Sequence, residues 1–217
     1  MDMKTAKVNM IKQQINTLGN GDIRISDSMN QIPRELFTPA KMQSMAYADT
    51  EIPLAHGELM LKPRVIAQIL QAVRIKQSDN ILEIGTGSGY FTALLALISQ
   101  SVNTVDIHED FIQQAQNRLK QLNIHNVVYH TGDASLGWEL EKQYDVIIIN
   151  ASLENIPSTI KSQLKPYGRL FCFLGNTNPC RGILLEKDSL DSFRESSQFE
   201  TYIRPLKESS KANTFLF

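Results

Sequence analysis

Asn80-Ile81-Leu82-Glu83-Ile84-Gly85-Thr86-Gly87-Ser88-Gly89-Tyr90-Phe91-Thr92-Ala93-Leu94-Leu95-Ala96-Leu97-Ile98 decides the fold. Its first residues are a short apolar run suited to a buried strand. Three alternating glycines follow, and then an unbroken apolar helix pattern. Glycines at 85, 87 and 89 permit backbone angles closed to other residues and a close approach to a ligand. The helix that starts behind them presents free N–H groups to the same space. A strand, a glycine turn and a helix in this order predict a nucleotide-like ligand at the turn.

The spacing separates the candidate ligands. A dinucleotide site needs G-x-G-x-x-G or a terminal Ala, but the sixth position is Tyr90 counting from Gly85 and Thr92 counting from Gly87. A phosphate loop needs a Lys after its glycines, and none follows. The pattern is E-x-G-x-G-x-G, with Glu83 at the strand end. S-adenosylmethionine carries no phosphate, and its ammonium group suits a nearby carboxylate. Two more acids extend the pattern. Val102–Asp106 reads as a strand ending in Asp106, about 20 residues after the first glycine, where a doubly wound fold offers a carboxylate to ribose hydroxyls. Val127–Thr131 reads as a third strand, running into Gly132-Asp133-Ala134, where an acid is expected to meet the adenine amino group. The expected cofactor set is therefore Glu83, Gly85, Thr86, Gly87, Ser88, Gly89, Asp106, Ile107, Asp133 and Ala134.

Outward from this stretch the chain alternates strand and helix. Strands are expected at 80–84, 102–106, 127–131, 144–149 and 168–174, with later ones near 182–187 and 199–205. Helices are expected near 89–100, 109–122 and 157–164. The alternation predicts an α/β, doubly wound, Rossmann-like sheet, mostly parallel, with an antiparallel far edge where the last strands lack helices between them. N-terminal helices are expected over 4–18, closed by Gly19, and over 26–31. Residues 37–62 read as loop, and Pro63 suits the first turn of a helix with Val65, Ile66, Ile69, Leu70 and Val73 on its apolar face. The expected division is 1–62, helices and a loop packed on the core, and 63–217, the S-adenosylmethionine-binding core.

The 217 residues carry 22 Lys+Arg against 23 Asp+Glu, so charge offers no case for nucleic acid or an anionic membrane. No apolar run reaches the roughly 18 residues of a membrane span, and the N-terminus lacks a signal-peptide core. Cys172 and Cys180 are too few and unpatterned for a disulfide framework, and no metal site is expected. A cytoplasmic location is the expectation. No motif specifies a quaternary state.

Residues 46–67, Ala-Tyr-Ala-Asp-Thr-Glu-Ile-Pro-Leu-Ala-His-Gly-Glu-Leu-Met-Leu-Lys-Pro-Arg-Val-Ile-Ala, resemble the substrate loop of the protein-L-isoaspartate (D-aspartate) O-methyltransferase family. The likeness continues through Ile32-Pro33-Arg34-Glu35-Leu36-Phe37, the glycine turn, Gly132-Asp133, Tyr144–Ile148, Ile156-Pro157 and Leu164–Leu170. It implies an S-adenosylmethionine-dependent transferase that methylates the free carboxylate of isoaspartyl residues in damaged proteins, a protein-repair reaction. It also implies protein or peptide partners and places substrate-loop candidates at Tyr47, Asp49, His56 and Gly57, with Asn150 after the fourth strand.

The chain departs from the family pattern at specific positions. The stretch after the loop glycine is approximately Gln-Thr-Ile-Ser-x-Pro in the family and Glu58-Leu59-Met60-Leu61-Lys62-Pro63 here, so Leu61 occupies the Ser position. Asn150–Asn155 replaces a small Ala-rich turn, and Tyr167 stands where the family usually has Gly. These departures leave two alternatives beside isoaspartyl methylation: the same fold with a different acceptor, or a cofactor-binding protein with little or no transfer.

Overall fold

The computed structural model describes residues 2–19, 22–175 and 179–207. Residues 208–217 of the expected 63–217 core lie outside that set. The N-terminal helix α1 (Met3–Met10) is capped by Asp2, whose side chain accepts from the Thr5 N–H at 2.7 Å. It then winds through a π turn over Ile11–Ile15 and a 3₁₀ turn over Asn16–Leu18 before Gly19, at φ 102. The expected single α-helix over 4–18 is therefore helical throughout but changes pitch twice. Met10 and Ile15 are both buried, and in an α-helix residues five apart point about 140° away from each other. The i→i+5 turn brings both onto the core side.

Helix α2 (Ile23–Gln31) starts three residues before the expected 26–31, because Asp22 caps it through the Arg24 N–H at 2.9 Å. Short strands β1 (Ile52–Pro53) and β2 (Leu59–Met60) pair antiparallel and pinch the loop between them. Helix α3 (Pro63–Val73) has Pro at its first turn and buries the expected apolar face. Strand β3 (Asn80–Ile84), helix α4 (Tyr90–Ile98), strand β4 (Ser101–Asp106), helix α5 (Glu109–Gln121) and strand β5 (Val127–Thr131) follow in the expected alternation. Strands β6 (Tyr144–Leu153) and β7 (Leu164–Leu174) flank helix α6 (Ser158–Ser162), and the hairpin β8 (Cys180–Lys187) and β9 (Phe193–Thr201) completes the sheet.

The seven strands lie in the order β5-β4-β3-β6-β7-β8-β9. The first five are mutually parallel, and β8 and β9 are antiparallel. This is the doubly wound, Rossmann-like methyltransferase sheet with an antiparallel edge. Strand alternation divides its apolar residues between two faces. Val146 and Ile148 join Ile66, Leu94 and Phe171 in a layer that also buries Met10, Ile15 and Met29 of the N-terminal helices. Ile147 and Ile149 join Leu82, Val105 and Ile160 on the opposite face. The expected 1–62 segment thus shares a core with the sheet.

Two boundaries differ from the sequence reading in ways that matter for the site. The expected helix 157–164 spans only Ser158–Ser162, since Pro166 disfavours helical angles at Lys165 and Leu164 already pairs with Tyr144. The last strand runs over 193–201 rather than 199–205. Asp188 accepts from the Leu190 and Ser192 N–H groups, closing a turn that sets Lys187 opposite Phe193. Beyond Thr201 the chain leaves β9 and crosses to the end of β6, where Ser152 N–H donates to Arg204 O at 2.8 Å and Leu206 N–H to Ser152 O at 2.9 Å. That crossing brings residues 205–207 over the carboxyl ends of the strands.

Candidate active site

The carboxyl ends of β3, β4 and β6 open into a cleft at the point where strand order reverses, between β3 and β6, which is where open α/β sheets bind ligands. The cleft encloses about 710 Å³, its open mouth included. Its floor is Gly85–Ser88 of the glycine turn, with Gly85 and Gly87 at φ 94 and 51. One side is Asp106, Ile107 and His108, and the other is Asn150 and Ala151. The loop residues Glu58–Leu61 and the crossing segment Pro205–Lys207 cover it.

Six of the ten residues expected at the cofactor line this cleft: Gly85, Thr86, Gly87, Ser88, Asp106 and Ile107. Asp106 is fixed on two sides. Its Oδ2 accepts from the Gly87 N–H and its Oδ1 from the His108 N–H, both at 2.9 Å. A carboxylate has about four lone-pair sites, so capacity is left to face the cleft. Burial raises its pKa against the pull of those two N–H groups.

Glu83 is placed differently from the sequence expectation. It lies under the turn, fully buried and outside the cleft lining. Its Oε2 accepts from the Thr92 hydroxyl at 2.6 Å and the Thr104 hydroxyl at 2.7 Å, and its Oε1 from the Asn150 amide at 3.0 Å. The Thr86 hydroxyl lies 2.6 Å from that of Thr104. With Glu83 ionised and Thr104 donating its one proton to it, Thr86 is the donor in that pair. Burial pushes the Glu83 carboxyl up to about 7, although all three donors favour its charged form. Glu83 therefore acts on the cleft through the groups it holds, rather than by meeting a ligand's ammonium.

Gly89 lies behind the lining, where α5 approaches so closely that a Cβ would stand 2.7 Å from Ala115 Cβ. Asp133 and Ala134 fall outside the cleft as well. They follow β5, which is the sheet edge beyond β4. Asp133 closes a local turn by accepting from the Ser135 N–H at 2.9 Å, and Ala134 is packed in the second core layer.

Of the substrate-loop candidates only Asn150 lines the cleft. Tyr47 is a core residue whose hydroxyl donates to Glu35, and burial holds that phenol well above its ordinary range. Asp49 is exposed away from the cleft. His56 and Gly57 sit at the rim in left-handed backbone conformation, at φ 57 and 73. Glu154 is exposed and not part of the lining. Leu61 is on the wall, and its carbonyl accepts from Arg34 Nη2 at 2.6 Å.

Arg34 was quoted above only as part of a motif, yet it ties three elements together. It is wholly buried, donates through Nε to Ala46 O at 2.8 Å, and lies with Cζ 4.8 Å over the Tyr90 ring. Burial lowers its pKa to about 10. An arginine among Ile32, Pro33, Leu36 and Phe37 was the available signal, since a charge in an apolar run must find buried acceptors. Lys207 was also missed. It pairs with Glu58, and its Nζ donates to the His56 carbonyl at 2.8 Å.

The residues present fit an S-adenosylmethionine-type ligand. Asn150 Oδ1 is buried on the cleft wall with no hydrogen-bond partner among the described residues, so it is open to a donor such as an amine. Among the described residues Lys207 is the one Lys or Arg of the lining, and it is already paired with Glu58. A phosphate-bearing nucleotide would find acids there and no unpaired cation.

A family model described as protein-L-isoaspartate(D-aspartate) O-methyltransferase (PCMT) matches residues 5–210. The chain belongs to this family. A protein-L-isoaspartate O-methyltransferase of Petrotoga mobilis is 34% identical over 177 residues, covering 81% of this chain and 83% of its own length. The enzyme of that name from Vibrio parahaemolyticus is 39% identical over 158 residues, covering 73% and 76%. Among solved structures, a Plasmodium falciparum PCMT in complex with S-adenosyl-L-homocysteine superposes with a TM-score of 0.77 at 18% identity, covering 95% of this chain and 99% of that one. In this PCMT chain Leu61 lies on the cleft wall and Tyr167 at φ 62 in β7. Among the described residues no helix is long and apolar enough to cross a membrane.

Proposed function

We propose that this PCMT-family chain is an S-adenosylmethionine-dependent methyltransferase that esterifies the free carboxylate of isoaspartyl residues in damaged proteins, acting in the cytoplasm on protein or peptide substrates. The observation that carries the reading is one cleft in which the glycine turn, Asp106 and Asn150 face the loop residues Leu59–Leu61. A methyl donor on the turn and an acceptor under the loop would share that space.

When bound, the cofactor supplies an activated sulfonium methyl. The chain's own work is then binding, orientation and exclusion of water. Gly85–Ser88 let the backbone approach the donor closely. Asp106 offers acceptors toward ribose hydroxyls, and the unpartnered Asn150 Oδ1 offers one toward an amine. Arg34 fixes the loop by holding the Leu61 and Ala46 carbonyls. Lys207 closes the other side by joining Glu58 to the crossing segment. An acceptor carboxylate is already nucleophilic and carries no proton, so no general base is needed.

The test is transfer of labelled methyl from S-adenosylmethionine to an isoaspartyl peptide and to the same peptide with ordinary aspartate. A base-labile ester on the isoaspartyl peptide alone is expected. No ester at enzyme concentrations equal to the peptide would refute the activity, and label on another acceptor in a protein extract would redirect it.

A further inference from the structure

His56 and His108 face each other across the mouth of the cleft. Their ring centroids are 3.9 Å apart with planes 7° from parallel, and each ring meets Phe111 edge-on at 5.4 Å. His56 Nε2 lies 2.8 Å from Asp110 Oδ1. One ligand-type atom from each of His56, His108 and Asp110 lies within 4.8 Å of the other two. A separate observation concerns His108 alone: its Nε2 is buried and has no partner among the described residues. The backbone around His56 is also held independently of its imidazole, since Lys207 grips the His56 carbonyl and the Glu58 carboxylate.

We infer that His56, His108 and Asp110 form a site for one divalent transition-metal ion, which joins the substrate loop to the start of α5 at the cleft mouth. Two imidazoles and one carboxylate suit Zn²⁺, Co²⁺, Ni²⁺ or Cu²⁺, whereas Mg²⁺ and Ca²⁺ favour oxygen ligands throughout. On a tetrahedral ion with bonds near 2.0–2.2 Å, ligand atoms stand about 3.3 Å apart. The His56–Asp110 pair therefore opens slightly, and because an imidazole ligates along its ring plane, the stacked rings turn out of parallel for both to reach one ion. Three protein ligands leave a fourth position to water. A His–Asp hydrogen bond accounts for His56 and Asp110, while the buried Nε2 of His108, on a ring that also lines the cleft, stands open to a further ligand. The expectation of no metal site rested on the cysteines, whereas His56 and Asp110 are 54 residues apart. Methyl transfer as proposed above uses no metal, so the site is a clamp: the bound ion would hold the loop against the core and slow exchange through the cleft.

The experiment is titration of the full, chelator-treated chain with Zn²⁺ by calorimetry and with Co²⁺ by visible absorption, independent of any turnover. One saturable ion per chain is expected, with a raised thermal midpoint and no such response to Mg²⁺. His56→Ala, an exposed change that leaves the cleft lining intact, and Asp110→Asn should each weaken the ion at least about tenfold, on the scale of disrupted metal-site contacts. Absence of saturable binding, unchanged affinity in His56→Ala, or a thiolate charge-transfer band assigning the Co²⁺ to a cysteine would each overturn the inference.

Discussion

The Asn150 side-chain amide lies 3.0 Å from Glu83 Oε1 and 2.9 Å from the Gly85 carbonyl, so one NH₂ group joins the end of β6 to both the buried acid and the first glycine of the turn. Its other atom, Oδ1, faces the cleft without a protein partner. The residue thus builds the floor with its nitrogen and presents an acceptor with its oxygen.

Asn150→Asp separates these two roles. The oxygen facing the cleft is retained, while the donor becomes a second carboxylate beside Glu83 and the Gly85 carbonyl. Leaving buried acceptors unpaired costs about 1–3 kcal/mol, and the added like charge increases that. S-adenosylhomocysteine should bind at least about tenfold more weakly at neutral pH, as measured by calorimetry, and the thermal midpoint should fall. Unchanged affinity would mean that the bridge does not shape the cleft floor.

Glu83 makes folding stability depend on pH. Its carboxyl is raised from an ordinary 4.5 to about 7 by burial. Between those values the folded chain holds a proton that the unfolded chain releases. The associated stability is therefore fully present below pH 4.5 and is lost as pH rises through about 7, amounting to roughly 3 kcal/mol. Asp106 is shifted in the same direction, also by burial. In denaturant unfolding followed from pH 5 to 8, Glu83→Gln should flatten most of the decline seen in the natural chain. Equal slopes in the two proteins would mean that the carboxyl titrates normally.

The sheet was legible because β3, α4, β4, α5 and β5 each carry an apolar period bounded by glycine or an acid. The bounds of the last strand were not, because Arg194–Gln198 is polar on both sides and its start depends on the Asp188 turn, a contact between residues rather than a pattern. Of the residues that line the cleft, Gly85–Ser88, Asp106 and Ile107 could be read from strand ends, whereas Asn150 came from the family resemblance. Glu83 and Asp133 follow the same rule and still fall outside the cleft. A side chain on a strand alternates between faces, and the lining is drawn from the strands nearest the switch point. Neither property is encoded at a single position. Arg34 and Lys207 act across long separations, which local spacing cannot reveal.

Tyr167 adopts φ 62 while 73% exposed, so its side chain contributes little packing to offset a left-handed backbone. That conformation costs a non-glycine residue about 1–2 kcal/mol, whereas glycine adopts it freely but gains roughly 0.5–1 kcal/mol of unfolded-state freedom. Tyr167→Gly should be net stabilising by about 0.5–1 kcal/mol, a rise of roughly 2 °C in Tm for a chain of this size. A lower midpoint in the variant would show that the Tyr167 ring supports β7 by more than its exposure suggests.

Leu61 stands on the cleft wall where the family pattern has Ser, and Arg34 holds its backbone carbonyl in place. Since the Arg34 contact is to the main chain, Leu61→Ser should leave the loop anchored while exchanging an apolar wall for a hydroxyl donor. One well-placed donor is worth about tenfold to a thousandfold in rate where it meets developing or transferred charge. With an isoaspartyl peptide, kcat should rise at least about tenfold, while S-adenosylhomocysteine affinity changes little because the turn and Asp106 are untouched. Loss of the partly buried leucine should lower stability by roughly 1–2 kcal/mol, so rates must be compared below the variant's thermal midpoint. If kcat is unchanged and the cofactor still binds, the acceptor carboxylate is positioned by other residues and Leu61 is a tolerated part of the wall. If kcat falls, the leucine itself serves the natural acceptor by keeping water from the transferring methyl.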